Sequence, residues 1–251
     1  MKTEWDYTSL ADAYLKRPDY SDDALDEMLR MASLSKGAVA CDVGAGVAHL
    51  TIKLAERGLK VFAVEPNDAM RANGIARTKS LENVNWSEGT GEATSQPSAK
   101  FDIVTFGSSF NVTDRQLALR ESARILKKHG WFACMWNHRD LDDPIQAGIE
   151  DIIKRQIAEY AYGTRREDQT DVILASGLTK KVDKIEGKVF HRQSVKDCVE
   201  AWRSHATLHR QAGDRFPAII RQVEELLAET GKKEIIIPYT TRIWLAQING
   251  S

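Results

Sequence analysis

Residues 38–46 read AVACDVGAG and indicate the fold class. The small and β-branched residues of this stretch end in an acid and two glycines, and a helical pattern begins within a few positions. This order is typical of a strand that turns tightly into a helix, where the backbone approaches a ligand too closely for a Cβ atom. Gly44 and Gly46 are therefore candidate ligand contacts.

A second run, KVFAVE at residues 60–65, ends in an acid 21 residues after Gly44. A carboxylate at the end of the second strand of such a unit accepts hydrogen bonds from ribose hydroxyls. Strand, glycine loop, helix, strand and terminal acid in this register predict a nucleoside-type ligand. The alternative is a tight turn with Glu65 on the surface.

Between residues 37 and 138, short β-branched or aromatic runs alternate with amphipathic stretches. This alternation predicts βαβ units with a parallel sheet, hence an α/β fold. Helices are expected over residues 49–57, before Gly58, and over residues 115–129, before Gly130. The strand runs are residues 38–43, 60–65, 84–87, 101–106 and 131–136.

After Asn137 the alternation stops, and longer helical patterns follow. Residues 180–192 and 234–247 are predicted to form an antiparallel pair at one edge of the sheet, where Pro238 is tolerated. The expected helices lie over residues 144–160, 168–176, 194–207 and 216–230.

The composition argues against macromolecular and membrane partners. With 35 basic and 36 acidic residues, the net charge of −1 provides no field to hold nucleic acid. The first thirty residues carry eight acids and four bases, without an apolar signal segment, and no run of 18 apolar residues occurs. Three cysteines without a CxxC pair predict reduced thiols. We expect a cytoplasmic protein that binds neither nucleic acid nor membrane.

A dinucleotide is disfavoured, because His49 stands where that fingerprint has its third glycine. The sequence instead resembles the class I S-adenosylmethionine-dependent methyltransferases, in their small-molecule (type 11-like) group. The resemblance covers residues 10–138. One of the positions that carry it is Asp42, two residues before the first glycine. The other similar segments are VEPNDAM (64–70), EGTGEA (88–93), residues 101–110 and RILKKHGW (124–131).

The resemblance implies a Rossmann-like, doubly wound, seven-stranded and mostly parallel sheet with an antiparallel edge strand, plus helical lid or insertion segments. It implies S-adenosyl-L-methionine as the cofactor and S-adenosyl-L-homocysteine as the product. In it, the glycine loop passes under the methionine part, Glu65 holds the ribose and Met70 packs on the adenine. Thr90 stands where many members carry an acid, so backbone amides are expected to meet the adenine edge. The implied cofactor-binding residues are Tyr14, Arg17, Tyr20, Asp42, Gly44, Ala45, Gly46, Glu65, Pro66, Met70, Thr90, Gly91, Glu92, Ser108 and Ser109.

The N-terminal pattern YxxRPxY, residues 14–20, resembles a segment that closes over the cofactor in related enzymes. In that interpretation Arg17 pairs the cofactor carboxylate, while Tyr14 and Tyr20 pack against the sulfonium, whose charge favours aromatic faces. The alternative is a surface arginine beside two packing tyrosines. His49 opens a helix, and the helix N-terminus favours its neutral form.

Two residues are candidates for the catalytic site. His138 follows the fifth strand, where ligands bind in open α/β sheets, and is predicted to be a general base or a substrate ligand. The alternative is a histidine that serves packing or faces solvent. Asn111 stands at a position that is often His in similar proteins, but an amide takes no proton near neutral pH, so a base role is not transferred to it.

Other candidates have two interpretations each. Arg165 and Arg166 either clamp a substrate carboxylate or begin a solvated helix. His205 and His209 share one helix face, directed to the site or to solvent. The residues that flank them include no obvious third metal ligand, so no metal is expected.

The predicted function is methyl transfer from S-adenosylmethionine to an O, N or C atom of a small-molecule metabolite by in-line displacement. The alternatives are a noncatalytic S-adenosylmethionine-binding or scaffolding protein, a macromolecule methyltransferase and a nicotinamide oxidoreductase. A monomer or homodimer is expected. One domain is predicted over residues 1–251, with lid helices in 1–30, a cofactor half in 37–138, substrate-side segments in 139–230, a helical insertion in 194–230 and a final strand in 234–248.

Overall fold

The computed structural model describes residues 14–163, 167–203 and 205–248. Its strands are β1 (Val39–Val43), β2 (Lys60–Val64), β3 (Val84–Ser87), β4 (Phe101–Gly107), β5 (Leu126–Arg139), β6 (Asp183–Ser194) and β7 (Glu234–Gln247). They form one sheet in the order β3-β2-β1-β4-β5-β7-β6. The chain reverses its direction of travel across the sheet between β1 and β4, and ligands bind at the carboxyl ends beside such a point.

The predicted fold class is confirmed. Strands β1 to β5 pair in parallel, and β6 and β7 form the predicted antiparallel pair at one edge. The strand that runs against the others is β7, which lies one place in from the edge and pairs antiparallel with β5 as well. The outermost strand, β6, therefore runs parallel to β5.

Helices cover both faces of the sheet, as the nearly continuous apolar strands require. Helices α1 and α2 pack on one face through residues such as Leu25 and Leu54, and α4 packs on the other around Phe106. A third cluster joins α5, α7, α8 and α9 to the start of β7. The helices are α1 (Asp22–Met31), α2 (His49–Glu56), α3 (Asp68–Thr78), α4 (Arg115–Ile125), α5 (Pro144–Gln156), α6 (Thr170–Leu174), α7 (Val195–Arg203), α8 (Ala206–Ala212) and α9 (Phe216–Glu229).

Side chains at the helix starts explain where several helices begin. The carboxylate of Asp114 accepts the backbone N–H groups of Gln116 and Leu117, and Asp143 caps α5 in the same way. Pro144 then occupies the first turn of α5, where its missing N–H has no cost. Within the described residues, no helix has the length and apolar character needed to cross a membrane.

The predicted helix over residues 115–129 is too long. Helix α4 ends at Ile125, and Leu126 pairs with Phe101 of β4 to begin β5. His129, rather than Gly130, takes the left-handed conformation, with φ of +61°. Strand pairing therefore overrides the helical pattern of the last turn. The predicted helices 144–160 and 168–176 are also shorter in the structure, and residues 194–207 divide between α7 and α8.

Candidate functional site

The glycine loop lies at the carboxyl end of β1. Gly44 and Gly46 have φ of +67° and +55°, a left-handed conformation that favours glycine. A Cβ atom on Gly44 would lie 2.4 Å from the Cβ of Ser109, so protein packing alone requires glycine there. A Cβ on Gly46 would meet, among the described residues, only the methyl group of Met70 at 3.4 Å. The backbone at Gly46 can therefore be approached closely by a ligand.

Glu65, the acid after β2, is bonded to this loop. Its side chain is buried, with Oε2 accepting the N–H of Gly46 and Oε1 accepting the N–H of Asn67, both at 2.9 Å. Burial raises the pKa of Glu65, and the two backbone hydrogen bonds oppose this shift. Each carboxylate oxygen has two lone pairs. Glu65 therefore retains the capacity to accept two further donors, such as adjacent hydroxyl groups.

Asp42 lies beneath the loop. Its carboxylate accepts hydrogen bonds from Thr51 at 2.6 Å and from Thr105 at 3.1 Å, and it is almost fully buried. Burial raises the pKa of Asp42 to about 6, although the two hydroxyls favour the charged form. Sequence reasoning missed both threonines. Thr105 is the register partner of Asp42 across the β1–β4 ladder, so correct strand pairing would have indicated it.

The start of α3 closes the other side of the loop. Asn67 caps this helix by accepting the N–H of Met70 at 3.0 Å, and the buried Met70 packs against Val47. Arg71 donates to the carbonyl of Glu65 at 2.7 Å. The cap and the arginine, which sequence reasoning did not identify, fix the turn that presents Glu65 and Met70.

A cavity of about 270 Å³ lies beyond Glu65. It brings together two predicted residues, Pro66 and Thr90. The Thr90 hydroxyl accepts the N–H of Ala93 at 3.2 Å and so closes its own turn. The cavity is lined by Pro66, Glu88, Gly89, Thr90, Ala93 and Ser95.

The other two residues of the predicted adenine turn face the start of α4 instead. A Cβ on Gly91 would lie 2.5 Å from the Cγ2 of Thr113, and Glu92 accepts the N–H of Asp114 at 2.7 Å. Glu92 therefore supports the end of a helix, and neither residue lines the cavity.

Two serines follow β4. Ser109 is buried and donates to the carbonyl of Val43 at 2.6 Å, which ties the β4 loop to the end of β1. Ser108 has a left-handed φ of +59°, and its hydroxyl lies 2.9 Å from that of Tyr20. Burial raises the pKa of Tyr20, so its phenol keeps its proton. A non-glycine residue held in this conformation is a feature that clusters at functional sites.

We call residues 14–20 the strap. His49 at the start of α2 holds it, with Nε2 2.8 Å from the carbonyl oxygen of Tyr14 and Nδ1 2.7 Å from the carboxylate of Asp19. Both ring nitrogens therefore contact oxygen acceptors of the strap. The hydrogen bond to His49 lowers the pKa of Asp19.

Asn137 holds the strap from β5. Its Nδ2 donates to the carbonyls of Pro18 at 3.2 Å and Asp19 at 3.0 Å, and its Oδ1 accepts from Thr241 at 2.5 Å. The Thr241 hydroxyl in turn accepts the N–H of Ser21 at 2.9 Å. Sequence reasoning selected the neighbouring His138 and missed this residue.

The strap brings Tyr14 to the glycine loop. The ring of Tyr14 packs against Val47 and Met70, and the guanidinium carbon of Arg17 lies 3.5 Å from the centre of that ring. Arg17 is exposed and makes no ion pair with any described residue. Its cation is therefore available to an anion above the loop.

The two predicted catalytic residues lie on the other side of β5. Asn111 accepts the indole N–H of Trp136 at 3.0 Å. His138 is buried, with its ring centre 6.4 Å from that of Trp244. Alternation along the strand directs Trp136 and His138 away from the face on which Asn137 meets the strap. A base role for His138 stays a prediction.

The remaining candidates lie apart from the loop. His205 caps α8 and stacks on Trp202, while His209 packs edge-on against Phe216. Arg165 and Arg166 lie outside the described residues. Among the residues that the structure describes, no three His, Cys, Asp or Glu side chains converge as metal ligands would.

Residues 41–134 match a family model described as "Methyltransferase domain". Uncharacterized methyltransferase Rv3342 of Mycobacterium tuberculosis (strain ATCC 25618 / H37Rv) is 34% identical over 128 residues, covering 49% of this chain and 48% of that protein. Ubiquinone/menaquinone biosynthesis C-methyltransferase UbiE of Zymomonas mobilis is 34% identical over 113 residues, covering 44% and 47% of the two chains. The chain spans about half the length of the curated relatives it matches.

Structural similarity extends further along the chain. The crystal structure of YcgJ from Bacillus subtilis superposes with a TM-score of 0.54 at 18% identity, covering 90% of this chain and 98% of that one. At this identity the likeness concerns the fold alone. The chain is therefore similar to methyltransferases in sequence over residues 41–134, and it shares the fold of YcgJ over most of its length.

Proposed function

We propose that the protein binds S-adenosylmethionine and transfers its methyl group to an O, N or C atom of a small-molecule acceptor. The observation that carries this proposal is the bond between Glu65 and Gly46, which sets a buried carboxylate with unused acceptor capacity beside an approachable glycine backbone. When bound, the cofactor supplies an electrophilic methyl group on a sulfonium. The donor and acceptor set of the loop fits a ribose and an amino-acid moiety.

Different residues around the loop contact different parts of the cofactor. Glu65 accepts from the ribose hydroxyls, Met70 packs on the adenine, and the cavity at Pro66 and Thr90 takes the adenine edge. Arg17 pairs the cofactor carboxylate. Gly44, Ala45, Gly46, Ser108 and Ser109 form the floor on which the methionine part lies, and Asp42 supports that floor through its two threonines.

The strap excludes water from the reacting centre. Tyr14 packs its ring beside the loop, Tyr20 places its hydroxyl at Ser108, and aromatic faces favour a cation beside them. Methyl transfer removes positive charge, so alignment and a dry site supply much of the rate. Where the acceptor must lose a proton, His138 is the proposed base, and Asn111 orients Trp136 beside it.

A small-molecule acceptor is supported by the charge of the chain and by one relative. The net charge of −1 gives no field that would hold a polyanion. The UbiE relative is named for a C-methylation in ubiquinone and menaquinone biosynthesis. All three cysteines are buried and unbridged, which supports a reducing, cytoplasmic location.

Calorimetry with S-adenosylhomocysteine tests the proposal. We expect the wild-type protein to bind, Glu65→Gln to bind at least tenfold more weakly, and Glu229→Gln at the end of α9 to bind as the wild type does. Absence of binding to the wild type would refute the function. Binding without product from any O, N or C acceptor in a broad panel would favour the noncatalytic alternative.

A further inference from the structure

A buried arginine lies at the end of β5. Arg139 is the last residue of that strand, and its side chain is only 10% exposed. Its Nη2 donates to the carboxylate of Glu150 at 2.5 Å and to the phenol oxygen of Tyr162 at 2.6 Å. One side of the guanidinium is thereby fixed.

The other terminal nitrogen of the guanidinium, Nη1, is not fixed in this way. Nη1 of Arg139 is buried, and within residues 14–163, 167–203 and 205–248 it has no hydrogen-bond partner. A charged donor that is removed from water without an acceptor destabilises a fold. This nitrogen therefore calls for an acceptor that the described chain does not supply.

Aromatic side chains surround the guanidinium. Its central carbon lies 4.8 Å from the ring centre of Trp202 and 5.7 Å from that of Tyr162. Tyr239 stands directly opposite Arg139 on β7, so the two side chains share one face of the sheet. Burial raises the pKa of Tyr239 to about 12, which keeps its phenol as a donor. The guanidinium thus lies among aromatic rings, with a phenol donor beside it.

The local charges favour an anion. Glu150 is shared between Arg139 and Lys154, whose Nζ lies 3.3 Å from Oε1, so two cations face one carboxylate. Arg17 of the strap also acts electrostatically on the phenol of Tyr239. Arg139 and Asn137 are two positions apart on β5 and therefore point to the same side, where the strap lies.

We propose that Nη1 of Arg139 binds the carboxylate of the methyl acceptor, whose planar apolar body lies against Tyr239 and the edges of the Trp202 and Tyr162 rings. This inference rests on the proposed function and narrows it to acceptors that are aromatic or otherwise flat carboxylic acids. Arg139 binds substrate in this role and takes no part in proton transfer.

The test uses protein saturated with S-adenosylhomocysteine, titrated with benzoate, phenylacetate and cinnamate and with the primary amide of each acid. We expect at least one carboxylate to bind tenfold or more tightly than its amide. Arg139→Gln should reduce that preference below threefold. Arg221→Gln, which removes an exposed arginine of α9, should leave it unchanged.

Removing Arg139 alone leaves the buried Glu150 without its main partner, so Arg139→Gln/Glu150→Gln provides a second variant with no net buried charge. Circular dichroism confirms that each variant is folded. The inference is overturned if no carboxylate is preferred by the wild-type protein, or if the preference survives in a folded Arg139 variant. Failure of the wild type to bind S-adenosylhomocysteine, measured first, would instead refute the proposed function.

Discussion

Replacing Gly44 by alanine is expected to destabilise the protein through one identified contact. Gly44 has a φ of +67°, and an added Cβ would lie 2.4 Å from the Cβ and 2.9 Å from the Oγ of Ser109. Ser109 cannot easily turn aside, because its hydroxyl donates to the carbonyl of Val43 at 2.6 Å in a buried position. The loop or the β4 connection must therefore shift.

Two effects set the magnitude. A left-handed alanine costs about 1–2 kcal/mol relative to glycine, and overpacking at a tight site costs about 1–3 kcal/mol. Gly44→Ala should thus lower the free energy of unfolding by about 2–5 kcal/mol. Gly46→Ala is the matched control, since its φ is +55° and its new Cβ meets only the Met70 methyl group at 3.4 Å. Gly46→Ala should lower the free energy of unfolding only by the cost of the left-handed conformation, about 1–2 kcal/mol.

Urea unfolding followed by circular dichroism measures these losses. Ser109→Gly removes the obstructing atoms and leaves the Ser109 Cα at 3.9 Å. In that background, Gly44→Ala should cost only its conformational part, giving a coupling of about 1–3 kcal/mol in the double-mutant cycle. Additivity within about 0.5 kcal/mol, or equal losses for Gly44→Ala and Gly46→Ala, would refute the reasoning.

Three further outcomes are expected. Native Asp42 holds its proton up to about pH 6, whereas the unfolded chain releases it near its ordinary pKa. The free energy of unfolding should therefore fall by about 3 kcal/mol as the pH rises from about 3 to about 7, with most of the loss between about pH 4 and about pH 6. Urea titrations at several pH values give this free energy, and its dependence on pH should be weaker for Asp42→Asn. An unchanged pH dependence contradicts the assignment. Asn137→Ala removes two hydrogen bonds to the strap, so amides of residues 14–20 should exchange about 5–100-fold faster by mass spectrometry; unchanged exchange contradicts the anchoring role. Gly46→Ala should weaken S-adenosylhomocysteine binding at least tenfold in calorimetry although the variant stays folded, and wild-type affinity would show that no ligand approaches that backbone.

The sequence predicts the parts of the site that depend on neighbours along the chain. The glycine loop is indicated by a strand and a helix that adjoin it, and Glu65 by the end of the next strand. Local patterns of this kind are strong because strand and helix periods differ. The same local reasoning extended α4 to residue 129, because it could not foresee that Leu126 pairs with Phe101.

A local motif also does not determine the direction in which a side chain points. The segment EGTGEA correctly indicates a turn beside the cavity, yet Glu92 points to the N-terminus of α4 and accepts the N–H of Asp114. Asn137 and Thr241 are 104 positions apart and meet only through the β5–β7 pairing. Their contact therefore requires the sheet order, which no local pattern contains.

The groups that anchor the strap differ from the side chain that is proposed to contact the cofactor. Three of its hydrogen bonds to His49 and Asn137 use the main-chain carbonyls of Tyr14, Pro18 and Asp19, and a fourth uses the carboxylate of Asp19. Main-chain carbonyls are present whatever the side chains are, so these contacts do not constrain the guanidinium of Arg17, which is exposed. The strap can therefore be held against α2 and β5 while Arg17 meets a ligand. Opening it requires the loss of bonds from α2, from β5 and from the loop after β4, where Ser108 meets Tyr20. Variants at His49 and Asn137 should therefore weaken cofactor retention without altering the groups that contact the cofactor.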